Sequence, residues 1–358
     1  MRKKYNLLLF FSSIFLIFIG VIMIYSASYI WADYKFDDAF KYLKSQGLFA
    51  LVGVIVMLFV SKIDYKLYYK KANLILGLCL FLLVLVLIPG IGVIRNGSRS
   101  WFNLLSFSIQ PSEIAKLGII IFVSKYLSKL KKVGLKEIMP AIGVVLFVFF
   151  LIMLQPDFGT GMILVMSAVS LFFISGLDFK YFYYLFGIGI LGIFGIIVIA
   201  PYRVKRILSF INPWSDPLGS GFQIIQSLYA IGPSGLFGYG FLNSRQKHFY
   251  LPEPQTDFIF SIIVEEFGVV GAVTILILFF LLCYSGIKIA LSKTDLFAKY
   301  LTFGIIFQII FQALLNLCVV VGLIPVTGVT LPFLSYGGSS LVISMISIGI
   351  ILSVSRNN

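Results

Sequence analysis

Apolar segments of about 20 residues recur along the whole of this 358-residue sequence, and a segment of that length crosses roughly 30 Å of hydrocarbon as a helix. Inside lipid the backbone has no water to bond, so a spanning segment must satisfy its own N–H and C=O groups. Hydrophobic residues make up 60% of the chain, and the mean hydropathy is +1.04. The sequence therefore predicts an all-α, polytopic integral membrane protein that forms a single domain over residues 1–358.

Ten transmembrane helices are predicted from these segments. They cover residues 7–29, 45–61, 73–89, 111–128, 139–154, 159–176, 183–201, 258–283, 299–322 and 338–354. The longest connection, residues 203–257, is rich in Gly, Pro and Ser. Because it is too long for a simple connector, we expect it to carry function.

The distribution of basic residues predicts the orientation of the chain. The net charge is +14, and 17 of the 28 Lys and Arg residues fall in the terminal segments and in short loops on one side of the predicted spans. Short positive loops stay in the cytoplasm. Both termini are therefore predicted to be cytoplasmic and loop 203–257 to be extracytoplasmic. The orientation of the chain in the membrane accounts for most of the positive charge, so no nucleic acid partner is predicted.

Glu113, Lys116, Glu265 and Glu266 lie within predicted spans, where an unpaired charge at mid-bilayer costs about 2.5–3.5 kcal/mol. Glu113 and Lys116 are three residues apart, so they share a helix face and are expected to pair. Glu265 and Glu266 must likewise face partners or a wet cavity. The ninth span adds a polar stripe made of Gln308, Gln312 and Asn316. This stripe either lines such a cavity or holds neighbouring helices together by hydrogen bonds.

Loop 203–257 carries an excess of cations, against the bias of positive charge toward the cytoplasm. Its cations are Arg203, Lys205, Arg206, Arg245 and Lys247, and its anions are Asp216, Glu253 and Asp257. The excess indicates an anionic, phosphate-bearing substrate, because arginine binds phosphate through paired hydrogen bonds. Contact with the head groups of membrane lipids is the alternative. The predicted substrate-binding residues are Glu113, Lys116, Arg203, Arg206, Arg245, Lys247 and Glu253.

The segment RQKHFYLPEPQTD, residues 245–257, runs directly into the eighth predicted span. It presents reactive side chains at the membrane surface, where a lipid-anchored substrate exposes its head group. Asp257 is the last charge before the apolar run, and we predict that it is the catalytic residue. The alternative is that Asp257 caps the following helix, since aspartate favours that position. His248 is the only histidine, and one histidine makes no metal site.

Six motifs carry a resemblance to a known family. They are GSRSWF (97–102), QPSEIAK (110–116), QPDFGTG (155–161), NPWSDPLGSGFQIIQSLYAIG (212–232), LPEPQTDFIF (251–260) and GLIPVTGVTLPFLSYGGSS (322–340). Together they resemble the SEDS family, which includes FtsW, RodA and SpoVE, and WADYKFDD at 31–38 is similar to its division and sporulation members. The resemblance implies a ten-helix protein of the bacterial cell membrane. It also implies that Asp257, in a TDF motif, is the family's proposed catalytic aspartate.

The resemblance implies a peptidoglycan glycosyltransferase that polymerises lipid II together with a class B penicillin-binding protein transpeptidase. Asp257 would act as general base on the acceptor hydroxyl, a role that contributes about 10²–10⁴-fold. The departing lipid pyrophosphate needs positive charge, from Lys116, from the loop cations, or from a divalent ion such as Mg²⁺ or Mn²⁺. Two alternatives use the same residues: a transporter that flips lipid II, and a scaffold without activity that positions the partner synthase.

The chain departs from the family pattern at three positions. Cys318 stands in the ninth span where relatives usually carry glycine, and Ser234 and Leu242 replace loop glycines. Where such a glycine supplies a positive φ, the local turn is expected to differ in this chain.

Overall fold

The computed structural model describes residues 2–95, 97–104, 107–199 and 209–356. A helix occupies each of the ten predicted spans, and several extend one or two turns past the apolar stretch. They are α1 (Arg2–Phe36), α2 (Lys41–Lys62), α3 (Lys66–Leu87), α4 (Pro111–Ser128), α5 (Leu135–Met153), α6 (Phe158–Ile174), α7 (Lys180–Ile199), α9 (Ile259–Leu291), α10 (Leu296–Val320) and α11 (Gly338–Arg356). An additional short helix, α8 (Phe222–Ile231), lies in the long loop. The predicted all-α, polytopic fold is confirmed.

Seven of the described helices are long and apolar enough to cross a membrane by length and composition: α1, α2, α3, α5, α9, α10 and α11. The apolar helix α6 is shorter, with 17 residues. Helix α4 carries three charged side chains in 18 residues, and most of its surface is buried against α3, α6 and α10. A charged helix is tolerated at this depth because it lies among other helices and away from lipid.

Both described chain ends lie at one end of the helix bundle, here called the terminal end. The side chain of Ser355, near the end of α11, contacts Asn6 at the start of α1. Arg356 donates through Nη2 to the carbonyl oxygen of Lys62, at 2.8 Å. The N-terminus, the C-terminus and the end of α2 therefore lie together.

The long loop and the α10–α11 connection meet at the opposite end of the bundle, here called the loop end. Gln46, near the start of α2, donates to the carbonyl oxygen of Ser335 at 3.3 Å. The N–H of Tyr336 donates to the carbonyl oxygen of Gln255 at 2.8 Å. These contacts bring residues 321–337 against the segment that precedes α9.

A small antiparallel sheet in the α3–α4 connection was not predicted from the sequence. Its strands are β1 (Val93–Arg95), β2 (Ser98–Leu104) and β3 (Phe107–Ile109), in the order β1-β2-β3. The sequence contains a signal for it, because Asn96-Gly97 is a dipeptide typical of tight hairpin turns. Gly97 has a φ of 79°, the left-handed conformation that such a turn requires.

Helix α9 is interrupted at Gly268, which has φ 61° and ψ −154°. The interruption leaves backbone groups unpaired within the helix, and in a membrane these must find internal partners. Segment 235–240 supplies them: the N–H groups of Tyr239 and Gly240 donate to the carbonyls of Glu265 and Glu266, both at 2.9 Å. In return, the N–H groups of residues 269 and 270 donate to the carbonyls of residues 235 and 236. The long loop is thereby paired directly with the membrane helix.

Candidate active site

A buried ion pair lies in the first two turns of α4. Lys116 Nζ is 2.8 Å from Glu113 Oε1, and the two side chains are 1% and 8% exposed. The predicted pairing is present because residues three apart share one face of a helix. Glu113 also lies in the first turn of α4, where the helix dipole stabilises a negative charge.

Helix α10 completes the surroundings of Lys116. Lys116 Nζ donates to Gln312 Oε1 at 2.7 Å, and Gln312 Nε2 donates to the carbonyl oxygen of Thr330 at 3.0 Å. An ammonium group has three donors, and the contacts with Glu113 and Gln312 use two of them. The polar stripe of the ninth span is therefore buried and faces α4 and the 321–337 connection.

Asn316, one turn further along α10, holds the segment that carries Asp257. Its Nδ2 donates to the carbonyl oxygens of Asp257, at 2.7 Å, and Val329, at 2.8 Å. Asp257 is half-buried, and its Oδ2 would lie 3.8 Å from a Cβ built on Gly328. The carboxylate therefore faces the 327–330 segment at the loop end.

Asp257 lies just before the N-cap of α9. The N-cap position of α9 is occupied by Phe258, and the helix begins at Ile259. Asp257 precedes the cap by one residue. The carbonyl oxygen of Asp257 accepts from Asn316 Nδ2.

Asp157 brings two of the sequence motifs together, and sequence reasoning did not single it out. It caps α6, since its Oδ1 accepts from the N–H of Thr160 at 3.1 Å. Its Oδ2 accepts from Gln110 Nε2 at 2.8 Å and from Ser112 Oγ at 3.4 Å. QPDFGTG and QPSEIAK thus converge where α4 and α6 begin, next to Glu113. The signal in the sequence was that Asp157 lies in the QPDFGTG motif.

Glu265 and Glu266 have the partners that their depth requires. Glu265 Oε1 accepts from the N–H of Arg245 at 2.9 Å, and Glu265 Oε2 accepts from Ser244 Oγ at 2.5 Å. Glu266 accepts from Ser26 Oγ at 2.6 Å and forms an ion pair with Lys247 at 2.9 Å. Both carboxylates are almost fully buried.

The predicted loop residues do not all lie in one place. Lys247 points inward, 1% exposed, and Arg245 is exposed with its guanidinium 4.7 Å from the centre of the Tyr239 ring. Glu253 is exposed and has a φ of 44°. The three remaining loop cations, Arg203, Lys205 and Arg206, lie outside the described residues.

Two of the departures from the family pattern are accommodated in different ways. Leu242 itself adopts a φ of 67°, so a left-handed turn is present even though leucine replaces glycine. Ser234 is buried, and the positive φ falls on the next residue, Gly235, at 61°. A left-handed leucine is strained, because its Cβ crowds the following carbonyl oxygen.

Several buried polar atoms around Asp257 find no hydrogen-bond partner among the described residues. They are Asn316 Oδ1, Gln255 Oε1 and Thr327 Oγ1. Buried polar groups are normally paired, so such atoms are suited to a substrate that carries hydroxyl and amide groups. Among the residues that the structure describes, no group of three or more His, Cys, Asp or Glu side chains could hold a metal ion. The divalent ion stays a prediction.

The geometry therefore joins a carboxylate, a buried cation and uncommitted polar atoms within one assembly inside a helix bundle. In a low-dielectric site, a positioned cation stabilises developing negative charge, and a carboxylate can accept a proton from a hydroxyl. These features define a polytopic membrane protein with a buried polar cluster near the loop end of the helix bundle.

A family model described as Cell cycle protein, for FtsW, RodA and SpoVE, matches residues 6–358, and the chain belongs to this family. It is 53% identical to Stage V sporulation protein E of Bacillus subtilis (strain 168), over 98% of this chain and 97% of the relative. It is 41% identical to the probable peptidoglycan glycosyltransferase FtsW of Geobacter sp. (strain M18), over 99% and 97%.

The fold is similar to a chain of a solved peptidoglycan synthase complex in which polymerization and crosslinking are coordinated. The TM-score is 0.82 at 31% sequence identity, and the match covers 97% of this chain and 96% of the other. The resemblance found in the sequence is confirmed.

Proposed function

We propose that this chain polymerises lipid II into glycan strands, with Asp257 as the general base. The enzyme class follows from the family, since the Geobacter relative is named a probable peptidoglycan glycosyltransferase. In the reaction, the acceptor's sugar hydroxyl loses its proton to the Asp257 carboxylate and attacks the anomeric carbon of the donor. The bond between that carbon and the lipid pyrophosphate breaks, and the pyrophosphate leaves with the electron pair.

The observation that carries the proposal is the shared support of Asp257 and Lys116. Gln312 and Asn316 are one turn apart on α10, and they hold Lys116 and the Asp257 backbone respectively. A rigid helix thus fixes the spacing between a base and a cation. Groups held in fixed positions lower the activation barrier of a reaction between two lipid-linked molecules, because less freedom of movement is lost when they react.

Lys116 is the proposed partner of the departing pyrophosphate. Lys116 is the buried cation beside Glu113 and Gln312. Its ammonium group has three donors, and these two contacts use two of them. Glu113 lowers the cost of burying the ammonium and aims it. The predicted contributions of Arg203 and Arg206 stay part of the proposal. Mg²⁺ or Mn²⁺ would act on the same oxygens, since Mg²⁺ is commonly held by one or two carboxylates plus substrate phosphates.

The decisive experiment measures glycan formation from lipid II by the purified chain in detergent, with its partner transpeptidase. Asp257→Asn keeps the size of the side chain and removes the basic carboxylate. We expect less than about a tenth of the wild-type rate, because a general base contributes 10²–10⁴-fold. Asp178→Asn, the same change at a side chain that is 68% exposed, is the matched control. A rate above a tenth in a folded Asp257→Asn variant would refute the base assignment.

The same assay separates the alternatives. In detergent no bilayer exists, so a transporter that flips lipid II has no measurable activity. A scaffold would yield no glycan when combined with a partner that lacks polymerase activity. Polymerisation by the chain under these conditions rejects both alternatives, and its absence in a folded, partner-bound sample rejects the proposed reaction.

The proposed orientation places the loop end outside the cell and both termini in the cytoplasm. Its support is the concentration of Lys residues in the loops of the terminal end, which positive-inside behaviour assigns to the cytoplasm. Ser220→Cys and Ser292→Cys, both at exposed positions, test it in a chain whose native cysteines are replaced by alanine. A membrane-impermeant thiol reagent should label position 220 in intact cells and position 292 only after lysis. The reverse pattern would overturn the orientation.

A class B penicillin-binding protein transpeptidase is the proposed partner. The support is the likeness to a chain of a solved complex that couples polymerization to crosslinking. Co-purification with the candidate transpeptidases encoded in the same genome, each tagged in turn, would identify it. Recovery of none of them with a folded chain would contradict this part of the proposal.

A further inference from the structure

A depression lies at the loop end, formed by α8 and residues 242–250. It is an open depression with a volume of about 720 Å³, and it is lined chiefly by Gln226, Tyr229, Asn243, Arg245, His248 and Tyr250. We call it the loop cradle. Its described lining residues are different from those that hold Asp257 and Lys116. Its volume is in the range of pockets that bind small molecules.

We propose that the loop cradle binds a carboxylate-bearing oligosaccharide, which on the proposed function is the nascent glycan strand. The proposal rests on that function for the identity of the ligand, and on the structure of the cradle for its chemistry. Its role would be to retain the product near the reaction site after each bond is formed.

The wall of the cradle is fixed from behind by buried charges. Glu265 accepts from the backbone N–H of Arg245 and from the side chain of Ser244. Lys247, two residues after Arg245, is buried in the ion pair with Glu266, and it lies 4.9 Å from the centre of the Tyr29 ring. Because Ser244 and Lys247 face α9 and α1, the exposed side chains between and beyond them are held in place for binding.

Strained residues mark both ends of this wall. Leu242 has a φ of 67° and Phe249 a φ of 66°, and both are non-glycine residues in the left-handed region. Phe249 is held there by contacts with the rings of Trp31 and Tyr34, whose centres lie 5.8 and 5.4 Å away. Backbone strain persists only where the surroundings enforce it, and it concentrates at ligand-binding segments.

The exposed groups of the cradle fit a sugar with a negative charge. Tyr229 and Tyr250 are 52% and 57% exposed, so each offers an amphipathic ring to the face of a saccharide. The Arg245 guanidinium stacks on Tyr239, which orients its donors for a carboxylate.

An unpaired acceptor adds independent support. Gln246 lines the cradle, and its Oε1 is buried without a hydrogen-bond partner among the described residues. Natural proteins rarely leave such an atom unpaired, and a sugar hydroxyl or acetamido N–H would satisfy it. Aromatic faces, an oriented arginine and an orphaned amide oxygen together indicate a carboxylate-bearing saccharide over a purely apolar ligand.

The test measures binding to the full chain carrying Asp257→Asn, so that the result does not depend on turnover. Three soluble probes are compared by microscale thermophoresis: a tetrasaccharide of alternating N-acetylglucosamine and N-acetylmuramic acid, the same tetrasaccharide with stem peptides, and neutral chitotetraose. We expect both acidic probes to bind more tightly than chitotetraose. Arg245→Ala should weaken the acidic probes by about tenfold or more, because a hydrogen bond to a charged group is lost. Tyr229→Ala should weaken all saccharide binding.

Tyr184→Ala is the matched control, because this tyrosine is 68% exposed and lies on α7. Tighter binding of the peptide-bearing probe would assign the carboxylate to the peptide, and tighter binding of the bare probe would assign it to the sugar; both support the cradle. The proposal is overturned if the parent binds none of the probes, or if Arg245→Ala and Tyr229→Ala bind as tightly as the parent. Loss of the partner transpeptidase with unchanged saccharide binding would show the cradle to be a protein contact. Failure of the Asp257 assay alone would leave these binding results intact.

Discussion

Asn316 donates two hydrogen bonds from one side-chain nitrogen, to the carbonyl oxygens of Asp257 and Val329 at 2.7 and 2.8 Å. The amide thereby joins the segment before α9, the 321–337 connection and the C-terminal part of α10. The position of the Asp257 backbone is set from a helix that also orients Lys116 through Gln312. The polar stripe of α10 is therefore a frame for the proposed reaction centre.

Replacing Asn316 with leucine should disrupt this frame while keeping a side chain that branches at the same carbon. Two buried carbonyls lose their donor, which should destabilise the fold by about 1–3 kcal/mol for each. Displacement of Asp257 by about 1 Å should reduce the polymerisation rate by as much as 10²-fold. The measurements are a thermal melt and glycan formation in detergent. Asn73→Leu, at an exposed site of the terminal end, is the control. Wild-type activity in Asn316→Leu would show that Asp257 needs no such support.

Replacing Lys116 with methionine should leave Glu113 as an uncompensated buried charge. Breaking a buried pair in this way costs about 3–5 kcal/mol. Adding Glu113→Gln removes the stranded charge, so the double variant should regain much of the lost stability. It should not regain activity, because the cation proposed to receive the pyrophosphate is still missing. A double variant with a normal turnover rate would show the pair to be structural only.

The ion pair of Lys247 with Glu266 allows two roles of Lys247 to be separated. Lys247→Met should lower the melting temperature, because Glu266 is 0% exposed and loses its cation. With Glu266→Gln added, stability should recover. If Lys247 supports the wall, activity returns with stability; if it binds substrate, as its sequence position predicted, activity stays low in the stable double variant. We expect activity to return, since the side chain is turned away from the surface.

Leu242 tests the effect of backbone strain. A left-handed conformation costs a non-glycine residue about 1–2 kcal/mol. Leu242→Gly should therefore be more stable than Leu242→Ala by about 1 kcal/mol, since both lose the side chain and only glycine relieves the strain. Comparing these two variants by chemical or thermal unfolding cancels the loss of the leucine contacts. Equal stability would show that the left-handed turn is not strained.

The helices and their approximate ends could be predicted because each is specified by a continuous local pattern. An apolar stretch of membrane length has to be a helix, whatever its neighbours are. The Glu113–Lys116 pair followed for the same reason, because a spacing of three fixes two side chains on one helix face. The small sheet was missed because its strands are short, although Asn96-Gly97 indicated a turn.

The sequence by itself therefore determined the positions of the long apolar helices, the excess of positive charge at one set of loops and the family. Only the tertiary structure decided which distant groups meet: Asp157 with Gln110, Asn316 with the Asp257 backbone, and Lys247 with Glu266. Local sequence patterns indicate which polar residues are buried, but they do not identify the partner of each one. A buried charge or amide in a membrane must find a partner, and the packing of the helices chooses which one.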